Sequence, residues 1–296
     1  MRSIIVVLFL FVLFCSNSIA QNTSVQTLIS NFDGNGAISV DNQGNIYISE
    51  YGQWSGVQGN GTRVFKLNHQ GKVLDTIHSL KSPMGTAVDR SGNFYVNNDN
   101  NMQRGEVLRI SPSGERKVIA TIEGWPSGMN IDDDDNLYIT NYNKGVVHRV
   151  SGKGDMTVLA EDERLLGCTG IDFVSSGEVV VSNFATAKVY KINHSGEVVE
   201  LAHIPDITIQ NFGIGYITVY KDTIFATGIA VGKLFAIGLD GSVKEVAGSG
   251  ERNSKDGDGQ LAAFNGPNGI RADKNNGILY ISEYGGSKKI RKIKLE

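Results

Sequence analysis

The sequence predicts an all-β chain, a six-bladed β-propeller built from four-stranded antiparallel blades. Three observations predict it. A common unit recurs six times at a spacing of roughly 40 residues; each unit alternates apolar and polar residues in short runs broken by Gly, Asn, Asp and Ser, which is the mark of hairpin strands; and the last unit stops after its third strand while a spare strand stands near the N-terminus.

The first element precedes the repeats. Residues 1–20 carry one positive charge at Arg2, an apolar run over 4–14, and small residues at Ser18 and Ala20, the layout of a secretory signal peptide cleaved after Ala20. This makes the protein secreted or periplasmic. A lipoprotein reading around Cys15 competes with it, but Phe14 is bulky where a small residue should precede a lipidated cysteine. The apolar run is too short for a comfortable membrane helix, and no later stretch stays apolar for about 18 residues, so no membrane span is expected. The full chain has 28 basic and 31 acidic side chains and a formal charge of −3. Without a basic stripe to displace counterions, nucleic acid is not an expected partner. Of the two cysteines, Cys15 leaves with the leader, so Cys168 has no partner for a disulfide within the mature chain and reads as a buried small hydrophobe at the start of a strand.

Four units share a strand-turn-strand core over residues 37–50, 85–98, 128–141 and 269–283; two more, 170–183 and 215–227, are diverged. The shared marks are an aspartate in the turn (Asp41, Asp89, Asp132, Asp273) and a tyrosine in the second strand (Tyr47, Tyr95, Tyr138, Tyr280). Third strands follow at 64–67, 107–110, 146–150, 189–192, 234–237 and 290–293, and fourth strands such as 72–77, 115–122 and 242–247. A four-stranded sheet with two apolar faces needs a neighbour on each side, and a closed ring supplies them. Residues 24–30 read like the other fourth strands and are expected to pair beside 290–293, closing the ring; an open solenoid would leave that edge unpaired.

On residues 246–251, 256–270, 279–283 and 290–293 the last unit resembles an NHL repeat. Over the remaining mature chain the pattern resembles the wider superfamily of gluconolactonase-like hydrolases, paraoxonases, strictosidine synthase-like proteins and streptogramin lyases. The resemblance implies a first strand nearest the axis, with the residue before each strand-opening Gly or Ala facing the central mouth: Gly36, Met84, Ser127, Thr169, Ile214 and Asn268. For the gluconolactonase-like enzymes it also implies calcium held by an early Glu with Asn and Asp side chains. Here Asn268 matches, Asn35 is a stand-in, and no carboxylate occupies the set, whereas a hard cation takes six or more oxygens. Streptogramin lyases place a His where this chain has Asn268. The five histidines, His69, His78, His148, His194 and His203, share no spacing that marks a general base.

One strand out, the second strands end on Glu50, Asn98, Asn141, Asn183, Gly228 and Glu283. If these tip toward the axis, they form a ring able to hold a hydroxyl-rich ligand or, through Glu50 and Glu283, calcium or magnesium; the alternative is that each bonds the turn that follows it. Trp54, on a glycine-rich insertion over residues 53–62, suggests ligand contact, and Tyr51, Tyr142, Phe184 and Tyr284 either stack on a ligand or pack between blades. Asp132 to Asp135 align with the turn at Asp41 and read as a solvated loop. Asp256 and Asp258 begin like an EF-hand, but Pro267 occupies the twelfth position in place of Glu. Asn22, Asn60 and Asn193 open Asn-x-Ser/Thr triplets.

These readings lead to a monomeric extracytoplasmic propeller that binds a small organic ligand, glycan or peptide through Glu50, Asn98, Asn141, Asn183, Glu283, Trp54 and Asn268. The alternatives are a metal-dependent hydrolase or lyase acting on a lactone or cyclic ester, and a non-catalytic interaction scaffold.

Overall fold

The computed structural model describes residues 23–295, and the leader with its cleavage point after Ala20, like Asn22, lies outside the described residues. Within each of the first five units the alternating pattern produces a four-stranded antiparallel meander, and the sixth unit supplies three consecutive strands to its blade. Blade 1 comprises Ile38–Val40, Ile46–Ser49, Val64–Leu67 and Val73–Ile77. The innermost strands of blades 2 to 6 are Thr86–Val88, Pro126–Ile131, Cys168–Phe173, Ile214–Tyr220 and Pro267–Asp273. These inner strands touch in an unbroken cycle, blade 6 returning to blade 1. Among the described residues the only helical segments are short 3-10 turns at Glu163–Leu165 and Gly259–Leu261, and no helix is long and apolar enough to cross a membrane.

The first hairpins are set by their turn residues. Asp41, Asp89 and Asp132 each accept the backbone N–H of the asparagine four residues on, at 2.8 Å in all three cases, so the carboxylate holds the turn that the backbone alone would leave open. Asp132 to Asp135 form this turn and its exposed crown, as the alignment with Asp41 implies.

Packing follows the ring. The buried apolar side chains divide into six clusters, and each cluster spans one pair of neighbouring blades. Ile48, Val96, Ile139, Val181, Ala226 and Ile281 occupy equivalent second-strand positions and are fully buried. Each of the larger ones contributes about 1.5–3 kcal/mol by leaving water. No blade can keep this contribution alone, because part of each cluster belongs to its neighbour.

Closure occurs where the sequence places it. Ser24–Ser30 runs antiparallel to Lys289–Lys294, pairing Val25 with Ile293, Thr27 with Arg291 and Ile29 with Ile290. Val25 is fully buried against the last two blades. A further short strand, Gly257–Asp258, lies outside Ser24–Ser30 and makes this sheet five-stranded, an addition the repeat pattern does not announce. Asp256 clasps it: its carboxylate accepts the Thr27 N–H at 3.0 Å, the Thr27 hydroxyl at 2.7 Å and the Arg291 Nη2 at 2.7 Å. The aspartate that begins like a calcium loop is thus a stitch across the seam.

Candidate functional site

The site is set by how the inner strands begin. In blades 3 to 6 the ladder between first and second strands slips by one residue, between Pro126 and Met129, Cys168 and Ile171, Ile214 and Ile217, and Pro267 and Ile270. Such bulges re-aim side chains, here around the central mouth. The ladder corrects one expected position: in blade 5 the counterpart of Ser127, Thr169 and Asn268 is Gly215 and not Ile214, and Tyr216 stands where blades 2, 3, 4 and 6 have glycine and blade 1 has Ala37. The diverged sequence offers two alignments there, and the pairing of Ile217 with Ala226 selects one. Glycine is needed at Gly128, where an added Cβ would lie 1.8 Å from the Thr169 carbonyl oxygen of the next blade. Tyr216 places its phenol among the mouth phenols of Tyr51 and Tyr142, and burial pushes its pKa up to about 12.

A polar belt locks the mouth from behind. The residue before each second-strand end is Ser49, Asn97, Thr140, Ser182, Thr227 or Ser282, and four of these reach the next blade: Asn97 Nδ2 to the Ser127 carbonyl at 2.9 Å, Thr140 Oγ1 to Thr169 at 2.9 Å, Thr227 Oγ1 to Asn268 at 2.7 Å and Ser282 Oγ to Gly36 at 2.7 Å. Six short polar residues at one repeat position are the signal the sequence carries for this belt, one residue before the ring of second-strand ends.

That neighbouring ring is committed locally. Glu50 accepts Arg63 Nη2 at 2.6 Å, Arg63 Nε at 3.0 Å and the Thr62 N–H at 3.1 Å. Burial would raise its carboxyl, but Arg63 and the Thr62 amide outweigh burial and hold it below the usual range. Glu283 is fully buried with Arg291 at 3.0 Å, Ser254 at 2.7 Å, the Asn265 N–H at 3.1 Å and Ser287. Asn98 accepts the Lys81 N–H at 2.8 Å. Asn141 accepts the Trp125 N–H at 2.9 Å and donates to the Glu123 carbonyl at 2.7 Å, and Asn183 donates to the Leu166 carbonyl at 2.6 Å. Each of these side chains secures the chain entering or leaving its own blade. Asn268 donates to the Asn35 carbonyl at 2.9 Å, and Asn35 exchanges two hydrogen bonds with the Gly52 backbone. Two carboxylates already paired with arginines and asparagines spent on backbone do not fit a resident divalent cation, and among the described residues no three His, Cys, Asp or Glu side chains converge to hold one.

The mouth is aromatic instead. The insertion over 53–62 is a β-hairpin, with the Ser55 N–H on the Gln58 carbonyl at 2.9 Å and the Asn60 N–H on Gln53 at 3.0 Å. It carries Trp54 from blade 1 over to Trp125 at the head of blade 3, the two rings stacked with centroids 5.4 Å apart. Trp125 donates its indole N–H to the Met84 sulfur at 3.0 Å and meets Tyr142 edge-on at 5.2 Å. The contacts run on through Phe184 at 6.4 Å and Phe212 at 5.1 Å. The two ends of this arc are open, Trp54 at 43% and Phe212 at 41% exposure. Tyr51 packs on Tyr284 at 5.9 Å across the seam between blades 1 and 6; burial, and then the neighbouring phenols of Tyr284, Tyr216 and Tyr142, oppose its ionisation. Trp54 belongs to the expected site, whereas Trp125 and Phe212 were missed because neither sits at a repeat position.

Known proteins resemble this chain in fold. No family model and no curated protein sequence matches the chain. Among solved structures, a streptogramin B lyase has a TM-score of 0.64 at 15% identity, over 93% of this chain and 98% of its own. The chain shares its six-bladed propeller fold. The same fold extends to an auxiliary nutrient binding protein from Bacteroides thetaiotaomicron VPI-5482, with a TM-score of 0.73, 16% identity and coverage of 92% and 76%. It extends also to a putative gluconolactonase, with a TM-score of 0.65, 15% identity and coverage of 92% of either chain. Identities this low carry the fold alone, and the chemistry has to be argued from the residues at the mouth.

Proposed function

We propose that this chain is an exported binding propeller that holds a glycan or small organic ligand on its aromatic mouth without turning it over. The observation that carries this reading is the arc from Trp54 through Trp125, Tyr142 and Phe184 to Phe212, built on four different blades and open at both ends. Flat apolar rings edged by the phenols of Tyr142 and Tyr216 suit the faces and hydroxyls of a sugar or a comparable cyclic compound. The commitment of Glu50 and Glu283 to arginines supports binding over metal-assisted hydrolysis.

The test uses a native reporter. The chain has two tryptophans, Trp54 and Trp125, and they stack on one another at the mouth, so a ligand entering there must alter tryptophan emission. A panel of oligosaccharides and cyclic esters is titrated against the full chain and its Trp54→Ala variant. Saturable emission changes with at least one class, weakened by about tenfold in the variant on the scale of one aromatic contact, are expected. Product release from a lactone or cyclic ester would replace this reading with a hydrolase or lyase, and silence across the panel would remove the mouth as the binding surface.

A further inference from the structure

At the opposite end of the axis, where the first hairpins turn, lies a cavity of about 940 Å³ with a charged floor. The position two residues after each strand-opening residue holds Ser39, Ala87 and Thr218 in three blades, but Asn130, Asp172 and Arg271 in the others. Arg271 reaches from blade 6 across the axis to the Asn130 side-chain oxygen Oδ1 on blade 3, and its Nη1 lies 3.7 Å from Asp172 on blade 4. Lys274, in the turn of the same blade 6, reaches Asp172 at 3.3 Å. Asp172 is fully buried and already accepts Asn130 Nδ2 at 2.7 Å, Thr218 Oγ1 at 2.9 Å and the N–H groups of Val219 at 2.7 Å and Phe173 at 2.8 Å.

Asp172 therefore faces two cations, which leaves one positive charge in surplus at this point, while Asp273 on the same lining is committed to the Asn275 and Asn276 N–H groups and Asn276 Nδ2. Lys274 is half exposed and its charge faces the cavity. The rim has the other sign. Asp133 is fully exposed, with Arg90 as its ion-pair partner at 3.1 Å, and Asp222, held by Ser175, stands close enough to feel the Lys274 charge. Arg149 and Lys221 also border the cavity but lie over the rings of Tyr138 and Tyr220. A polyanion meets the aspartates before the floor, and a simple cation meets Lys274 and Arg271 at the bottom.

We propose that this second mouth binds small zwitterions, with the ligand carboxylate inward on Lys274 and Arg271 and its ammonium outward at the aspartate rim. Charge-assisted hydrogen bonds to a carboxylate are the strong ones, and the cavity volume admits a ligand of dipeptide size. The site is independent of the aromatic mouth, from which the crossing Arg271 separates it.

The experiment is calorimetric titration of the full chain at low ionic strength with glycylglycine, its C-terminal amide and its N-acetyl derivative. Saturable binding of glycylglycine is expected, at least tenfold weaker for the amide, measurably weaker for the acetyl form, at least tenfold weaker in Lys274→Met, and unchanged in Trp54→Ala. If Lys274→Met melts early by circular dichroism, Lys274→Gln replaces it, while the amide comparison stands on the wild-type chain. Absence of saturable heat with glycylglycine, equal binding of the amide or acetyl form, equal binding by the lysine variant, or loss of binding in Trp54→Ala each overturns the proposal.

Discussion

Asp172→Ala removes the carboxylate on which blades 3, 4, 5 and 6 converge. Four donors, Asn130 Nδ2, Thr218 Oγ1 and the Val219 and Phe173 amides, lose their acceptor, and Arg271 and Lys274 lose their counter-charge. Breaking a buried, hydrogen-bonded ion pair from one side costs about 3–5 kcal/mol. The lower part of that range is expected, because Lys274 can turn to water while Arg271, 15% exposed, cannot. Asp172→Asn keeps an acceptor and the shape, and should cost less. Burial would raise the Asp172 carboxyl, but Arg271, Lys274 and the two amides outweigh burial, so its folded pKa lies below the usual value. A depressed carboxyl contributes stability that is present above the unfolded pKa of about 3.9 and lost as pH falls through the folded one. The advantage of wild type over Asp172→Asn should therefore hold at neutral pH and shrink below about pH 4. Urea unfolding followed by circular dichroism and tryptophan emission measures both effects. A loss under about 1 kcal/mol for Asp172→Ala, or a gap to Asp172→Asn that does not narrow in acid, would refute this account of the axis.

Other outcomes follow from the same structure. A chain beginning at Asn31 lacks the strand that buries Val25 and caps Ile290 and Ile293; it should lose at least the roughly 1.5–3 kcal/mol of that valine and become protease-sensitive within residues 256–263, and an unchanged melting temperature would count against the seam. His148 is held neutral by burial, its pKa lowered, with Nδ1 buried and lacking a hydrogen-bond partner; because the unfolded chain takes up the proton first, stability should fall as pH drops below about 6.5, and His148→Phe should flatten that slope in pH-dependent melts. Burial raises the Cys168 thiol and the side chain is 1% exposed, so a thiol reagent should label it only at the rate of unfolding; rapid labelling of the native chain would show an opening at the start of blade 4.

The ring was legible because its cause is repeated in the sequence. Four apolar strands per unit, with no face able to stay dry alone, leave few arrangements, and the unpaired strand over 24–30 beside a truncated last unit points to the seam. Where repetition stopped, so did legibility. The Gly257–Asp258 strand occurs in one blade only, and Asp256 is recognisable as a clasp only once Thr27 and Arg291 are seen beside it. Blade 5 differs by one residue because Tyr216 replaces the small residue, Gly or Ala, that marks the register in the other blades.

The candidate site was less legible for a physical reason that separates it from the fold. Burial is decided by a residue's own strand and its period, but the freedom of a polar side chain to meet a ligand depends on whether another part of the chain reaches it first. Glu50 and Glu283 look alike in sequence to unpaired ligands, and only the positions of Arg63 and Arg291 reveal that both are taken. Conversely, Trp125 gains meaning from a hairpin that begins at Gln53, 72 residues earlier, and lays Trp54 across it. Asp172 is the extreme case: its surroundings come from four blades, so nothing within its own repeat signals that the axis is charged. Contacts that close a ring are long in sequence by construction, and a function placed on the axis of such a ring is written in pairs that no single repeat contains.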